Sequence, residues 1–267
     1  MSTETKLTIV GAGNLGLAIA RGLVESKALR SCEIKLTRRK LQGLENAAGE
    51  GFRVGNDNPA AVAGVDTVIV AVEPHQLDAV LDEIRPSLTP EQIVVSVVSG
   101  ATLSAIRSHL GDQQAIVRAM PNTAIEIRQS MTCIAVDDKD AESAKSIVEL
   151  FDHVGRTLVI DEEQMAAATA LGACGVAFFL RAVRAASQGG IEIGFSSADA
   201  LTLASQTALG AAGLLLARGQ HPEREIDRVT TPRGCTIAGL NRMEHEGFSS
   251  AMIKGITTSA GKITGLY

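Results

Sequence analysis

Leu7-Thr8-Ile9-Val10-Gly11-Ala12-Gly13-Asn14-Leu15-Gly16 runs directly into the apolar stretch Leu17–Leu23. The first four residues read as a strand, the glycines as a tight turn, and the periodic stretch after them as a helix. This is G-x-G-x-x-G in the strand–turn–helix setting that dinucleotide binding requires. Glycine permits the tight turn, lets backbone approach a pyrophosphate, and allows the helix to pack closely on the strand. The helix N-terminus then offers free N–H donors to the phosphates. Gly11, Ala12, Gly13, Asn14, Leu15 and Gly16 are therefore the expected pyrophosphate turn.

Outward from that turn, β-branched runs alternate with amphipathic stretches. Strands are expected at Leu7–Val10, Glu33–Thr37, Thr67–Val70, Ile93–Val97, Ile116–Ala119, Thr132–Ala135 and Thr157–Val159. Helical patterns include Leu15–Glu25, Gln76–Ile84 and Glu142–His153. Near-continuous apolar strands such as Val68-Ile69-Val70 suit a parallel sheet buried on both faces. The alternation predicts an α/β fold, with a doubly wound Rossmann-type domain over residues 1–160. After Asp161 the strand signals stop. Glu162–Leu171, Val176–Ile193, Ser197–Ala217, Thr236–Glu246 and Phe248–Ile263 all read as helices, and His221-Pro222 opens another. Residues 161–267 are thus expected to form an all-α domain, its Ala- and Gly-rich helices closely packed and shared between subunits.

The chain has 267 residues, of which 45% are hydrophobic and 21% charged, an ordinary globular balance that argues against a disordered chain. A net charge of -5 and 3% aromatic residues argue against a nucleic-acid partner, which would need a basic face and stacking side chains. Four cysteines lie far apart without metal-ligand spacing, as expected of a reduced, cytoplasmic protein. The N-terminus lacks a secretory pattern, and the apolar run Met165–Leu180 is shorter than the ~20 residues that span a bilayer. No membrane partner and no metal are expected. The five histidines fit no triad and read as surface or capping residues, while Glu162-Glu163 and Asp137-Asp138 read as solvated or helix-start charges.

The end of the second strand decides which dinucleotide binds. An NAD site usually places Asp or Glu there for the ribose 2′-hydroxyl. Here the strand ends at Thr37-Arg38-Arg39, a hydroxyl and two guanidiniums suited to a 2′-phosphate. NADP is the expected cofactor, with NADPH preferred over NADH.

Later segments carry a family resemblance. Ala71-Val72-Glu73-Pro74-His75, Arg118-Ala119-Met120-Pro121-Asn122-Thr123 and Gln206-Thr207-Ala208-Leu209-Gly210-Ala211-Ala212 occur in the order seen in pyrroline-5-carboxylate reductases. So do Gly219-Gln220-His221-Pro222, Val229-Thr230-Thr231-Pro232-Arg233-Gly234-Cys235-Thr236 and Glu246-Gly247-Phe248. The chain resembles that family over essentially its whole length. The resemblance implies NAD(P)H-dependent reduction of the cyclic imine 1-pyrroline-5-carboxylate to L-proline, a step of proline biosynthesis. It also implies a homodimer or larger oligomer built by the C-terminal helices.

By the same resemblance, Asn58 contacts cofactor, while Ala71, Val72, Glu73, Pro74, Val97, Val98 and Ser99 line it at the carboxyl ends of later strands. Thr231, Gly234, Cys235 and Thr236 would receive the substrate carboxylate, with Thr236 bonding near the imine nitrogen. Independently of the family, glycine and hydroxyl residues opening a helix make an anion site from backbone N–H groups.

Four segments depart from the family pattern, with Gly172-Ala173-Cys174 standing for Ser-Gly-Ser and Cys235 for a threonine among the changes. Glu73 stands for a lysine, Ala124 for a proline, Val176 for a proline, and Arg233 for a glycine. Arg233 would either reinforce carboxylate binding or offset Glu73. Two alternatives stay open beside the proline-forming enzyme. One is a related NADP-dependent reductase of another cyclic imine or small oxo acid, and the other a non-catalytic dinucleotide-binding homologue.

Overall fold

The computed structural model describes residues 5–263; residues 1–4, on which part of the N-terminal reading falls, lie outside them. The chain divides into two compact units, one of residues 5–174 and 259–263, the other of residues 175–258.

In the first unit, β1 (Leu7–Val10), β2 (Ile34–Thr37), β3 (Arg53–Gly55), β4 (Thr67–Val70), β5 (Ile93–Ser96), β6 (Ala115–Met120), β7 (Ser130–Val136) and β8 (Gly155–Val159) form one sheet. Its order is β3-β2-β1-β4-β5-β6-β7-β8. Six strands pair in parallel, β7 runs antiparallel to β6, and β8 is parallel to β7. A parallel return needs a crossover of a dozen or more residues. The link 121–129 holds only a 3₁₀ turn at Thr123–Ile127, so β7 must come back antiparallel.

Helices cover both faces, which is why the strands are apolar throughout. Leu7 and Ile9 of β1, Ile69 of β4 and Val95 of β5 join one core with α1 (Asn14–Glu25). Val10, Val68, Val70 and Val94 join the other core with Leu77, Leu81 and Ile84 of α4 (Leu77–Ile84) and Ile106 of α5 (Leu103–Leu110). Two short helices, α2 (Glu45–Gly49) and α3 (Asn58–Val62), flank β3, and α6 (Ala141–Asp152) precedes β8. Buried Thr8 bonds the Ala61 carbonyl at 2.6 Å, so the one polar residue of β1 is satisfied within the core.

Beyond β8 the backbone is helical, beginning with α7 (Met165–Ala168) and a π-helical turn at Thr169–Ala173. Met165 and Ala170 are buried, so this segment packs with the sheet unit although its composition already belongs to the helical region. The composition changes at Asp161, whereas the packing changes at Cys174.

The second unit holds α8 (Gly175–Glu192), α9 (Ser197–Arg218), α10 (Pro222–Val229), α11 (Cys235–His245) and most of α12 (Phe248–Ile263). The turn 193–196 reverses the chain between α8 and α9. A Cβ on Gly190 would lie 3.0 Å from Ala200 Cβ, so glycine permits their close approach. Of the 22 residues of α9, only Ala200 is buried. By length and composition alone, the helical stretches Glu162–Glu192 and Ser197–Arg218 could cross a membrane. The run Met165–Leu180 understates that length because polar residues beyond it do not break the helix.

Candidate active site

The sheet order reverses at β1, which has β2 on one side and β4 on the other. Ligands of open α/β sheets bind beyond the carboxyl ends of strands at such a point. A groove of about 730 Å³ lies there, within the first unit. Its lining includes Gly11 and Gly13 after β1, Thr37, Arg38 and Arg39 after β2, and Ala71, Val72 and Glu73 after β4.

Gly11 has φ of +90°, and a Cβ on it would come within 2.6 Å of Val72 Cγ1. The turn is tied to β2 because the N–H groups of Gly11 and Ala12 both donate to the Thr37 carbonyl, at 3.1 and 2.8 Å. Gly16 packs against Ile9, where a Cβ would meet Ile9 Cγ2 at 3.1 Å. Gly13 differs: a Cβ there would meet nothing within 4 Å, and no side chain caps α1 at this residue. The first-turn amides of a helix have no intrahelical acceptor. Backbone donors, a cradle only glycine can form and open space beside Gly13 fit a dinucleotide pyrophosphate. Ala12 is fully buried and Leu15 packs on the core, so these two offer backbone rather than side chain.

On the opposite wall, Thr37 is fully buried and donates its hydroxyl hydrogen to Asn58 Oδ1 at 2.6 Å. The Thr37 hydroxyl is therefore engaged with Asn58 here, while the residue itself lines the groove as expected of a cofactor neighbour. Asn58 in turn donates from Nδ2 to Glu83 at 2.9 Å. Arg38, Arg39 and Lys40 supply the exposed cations of the groove. Lys40, Gln42, Gly43, Asn56, Gln76, Val80 and Glu83 also line it and were not singled out from sequence. The spacing of Gln76, Val80 and Glu83 on one helical face was the available signal.

Pro74 opens a 3₁₀ turn beside the groove, and Glu73 lies 3.5 Å from His75 Nδ1. Val97 and Val98 are buried at the carboxyl end of β5, where the Ser99 hydroxyl approaches Met120 Sδ at 4.0 Å. These three are outside the groove lining.

In the second unit, Gly234 caps α11 without a side-chain bond. Its N–H donates to the Thr231 carbonyl at 2.9 Å, and a Cβ there would strike Thr231 Oγ1 at 2.5 Å. Glycine at 234 therefore lets Thr231 fold over the helix start. Cys235 is exposed and Thr236 half-buried in the first turn of α11, whose amides remain open to an anion. Arg233 adopts φ of +60°, the left-handed region where the family pattern has glycine. Thr230 donates its hydroxyl to Ile226 O at 2.8 Å and stays with α10.

Among the described residues no cluster of His, Cys, Asp or Glu could hold a metal ion. His221 accepts the Glu223 N–H as a helix cap, and His109 bonds Asp82. The acidic pairs are less solvated than expected. Glu162 accepts from the nearly buried Arg118 at 2.8 Å and from the Leu103 N–H, opening α5, at 2.6 Å. Asp137 joins Asp140 around Arg107. Burial pushes the Cys133 thiol up, away from the reactive thiolate.

Residues 162–266 match the family model for pyrroline-5-carboxylate reductase dimerisation, and residues 6–100 match that for NADP oxidoreductase, coenzyme F420-dependent. Pyrroline-5-carboxylate reductase 1 of Dictyostelium discoideum is 54% identical over 99% of this chain, which spans 50% of that relative's length. Pyrroline-5-carboxylate reductase 2 of the same organism is 46% identical over 98% of this chain and 93% of its own. The crystal structure of Plasmodium falciparum pyrroline carboxylate reductase with NADP bound shares the fold, with a TM-score of 0.90 at 21% identity, covering 100% of this chain and 99% of that one. An open glycine cradle, facing cations and near full-length similarity at 46% identity lead to one assignment: the chain belongs to the pyrroline-5-carboxylate reductase family.

Proposed function

We propose that this protein reduces 1-pyrroline-5-carboxylate to L-proline with NADPH, as a cytoplasmic enzyme of proline biosynthesis. The observation that carries this reading is the pairing of the glycine cradle with Arg38, Arg39 and Lys40 in one groove of a chain from this family. NADPH held in this groove would supply the hydride that reduces the carbon of the protonated imine, whose ring nitrogen would keep its proton as the amine forms. The chain's own residues bind and orient. The Gly11–Gly16 turn holds the pyrophosphate, and the three cations neutralise the 2′-phosphate. Ala71, Val72 and Glu73 line the nicotinamide side with Pro74 beside them, while Val97, Val98 and Ser99, at the carboxyl end of β5, would meet the coenzyme only beyond the groove's own lining.

The loop of Thr231, Gly234, Cys235 and Thr236 takes the substrate carboxylate on the first-turn amides of α11. The Thr236 hydroxyl accepts a hydrogen bond from the protonated imine nitrogen or donates one to the carboxylate. A threonine hydroxyl does not titrate in the working range, so it orients rather than supplies a proton. Orientation of two bound reactants accounts for about 7–11 kcal/mol of a barrier. The exposed apolar residues of α8 and α9, among them Phe179, Leu180, Leu209 and Leu216, are covered by a second copy of the chain. The match of this region to a dimerisation model supports that cover over a lipid one.

A second reading rests on Glu73, Ala124, Val176 and Arg233, which alter the family pattern: an NADP-dependent reductase of another cyclic imine or small oxo acid. Purified protein given NADPH and pyrroline-5-carboxylate separates the two. Loss of cofactor absorbance with proline formation supports the first. Turnover only with other imines or oxo acids supports the second, and binding of NADPH with no turnover leaves a non-catalytic homologue.

A further inference from the structure

Gly43 sits where its backbone needs no glycine. It lies in the 3₁₀ turn Leu41–Leu44, its N–H donates to the Lys40 carbonyl at 3.2 Å, and its φ is outside the left-handed region. Space is what the position needs. A Cβ there would run into the guanidinium of Arg38, striking Nη1 and lying 2.6 Å from Cζ and 2.9 Å from Nε. Arg38 Nη1 donates to the Gly43 carbonyl at 3.3 Å, so the guanidinium rests across this residue. Both residues line the cofactor groove with Arg39 and Lys40.

We infer that Gly43 is a specificity-determining residue: by seating the Arg38 guanidinium over the turn 41–44, it positions that cation for the 2′-phosphate of NADP(H). This rests on the cofactor reading above. Gly43 touches the 2′-phosphate only through Arg38, so it is a positioning residue. The groove also carries the carboxylates of Glu73 and Glu83, which repel a phosphate. Where the Arg38 charge is held therefore matters more than the number of cations nearby. Arg discriminates a phosphate by a planar fork of donors, and that fork works only in a fixed orientation.

The test is Gly43→Ala. The colliding atoms are the far end of an exposed side chain, so alanine moves the guanidinium and leaves the fold intact. Dissociation constants for NADPH and NADH are measured by titrating cofactor fluorescence on the full chain, for wild type, G43A, R38A and the double variant. Arg38→Ala is expected to weaken NADPH by about tenfold, the worth of one charge-assisted hydrogen bond, with NADH little changed. Gly43→Ala should weaken NADPH in the same direction by at least about threefold, with unchanged melting temperature and unchanged NADH binding. The double variant should be no weaker than R38A, because one residue acts through the other. If R38A loses NADPH preference and G43A keeps it, the inference is overturned while the cofactor reading stands. An R38A variant with unaltered preference also overturns it. Equal binding of NADPH and NADH by the wild-type protein would instead overturn the cofactor reading itself.

Discussion

Thr236 and Arg233 occupy the same loop for opposite physical reasons. Thr236 is half-buried at an open helix start, and replacing it with Ala should lower kcat/KM for pyrroline-5-carboxylate by about tenfold or more, one hydrogen bond to a charged group. NADPH affinity should barely move, and steady-state kinetics beside a cofactor titration decide it; equal losses in both would place Thr236 away from substrate. Arg233, at φ of +60°, bears the steric cost of a left-handed non-glycine residue, about 1 kcal/mol. Arg233→Gly should therefore stabilise the protein by roughly that amount in urea unfolding, less the entropy glycine adds to the unfolded chain. A destabilised variant would mean that the guanidinium makes contacts that outweigh the strain. The glycine turn after β1 was legible because its chemistry is local: Gly11 and Gly16 answer to neighbours a few residues away or to their own φ. Gly43 was not: its partner Arg38 is only five residues away, but no motif marks a turn that lays a guanidinium across a glycine.

Ion pairs join elements that the sequence presents separately. Glu162 precedes α7, yet it holds Arg118 of β6 and caps α5, partners far away in the chain. Such a pairing leaves no periodic trace, so Glu162 read only as a solvated or helix-start charge; it does open a helical turn, and its distant partners were not visible. Glu162→Ala should cost about 3 kcal/mol, since it strands a nearly buried guanidinium without its partner. Chemical denaturation would expose an error if the loss were a few tenths. Between α1 and β2, hydrogen bonds from the Arg30 side chain and backbone N–H hold the Glu33 carboxyl at about 2, below its ordinary 4.5. Its folded-state pKa is depressed, so its stabilisation is full above 4.5 and fades as pH falls toward 2. The stability gap between wild type and Glu33→Gln should close across that window, and a gap indifferent to pH would refute the pairing. The long periodic helices were readable to within a residue or two. The three-residue β3 was missed because it is held by pairing with β2 rather than by its own pattern. The antiparallel turn of β7 follows from a loop length that matters only once β6 and β7 are known to be neighbours.

Two compact units divide the labour, with the dinucleotide groove in the sheet unit and the open α11 start in the helical one. The division between strand-bearing and strand-free sequence was visible in composition alone. The packing boundary at Cys174 was not, because Met165 and Ala170 look like any apolar helix residues until their neighbours are known. Helix α9 buries a single residue, which leaves much of its apolar surface for another chain. Light scattering should give a mass at least twice the 27.8 kDa of one chain, and a stable monomer would contradict the proposed cover. The proposed chemistry is NADPH-dependent imine reduction by this chain. Following NADPH absorbance after adding pyrroline-5-carboxylate to the purified protein tests it most directly. Oxidation of the coenzyme in step with the appearance of proline is expected, and NADPH bound tightly yet left unoxidised would rule that chemistry out.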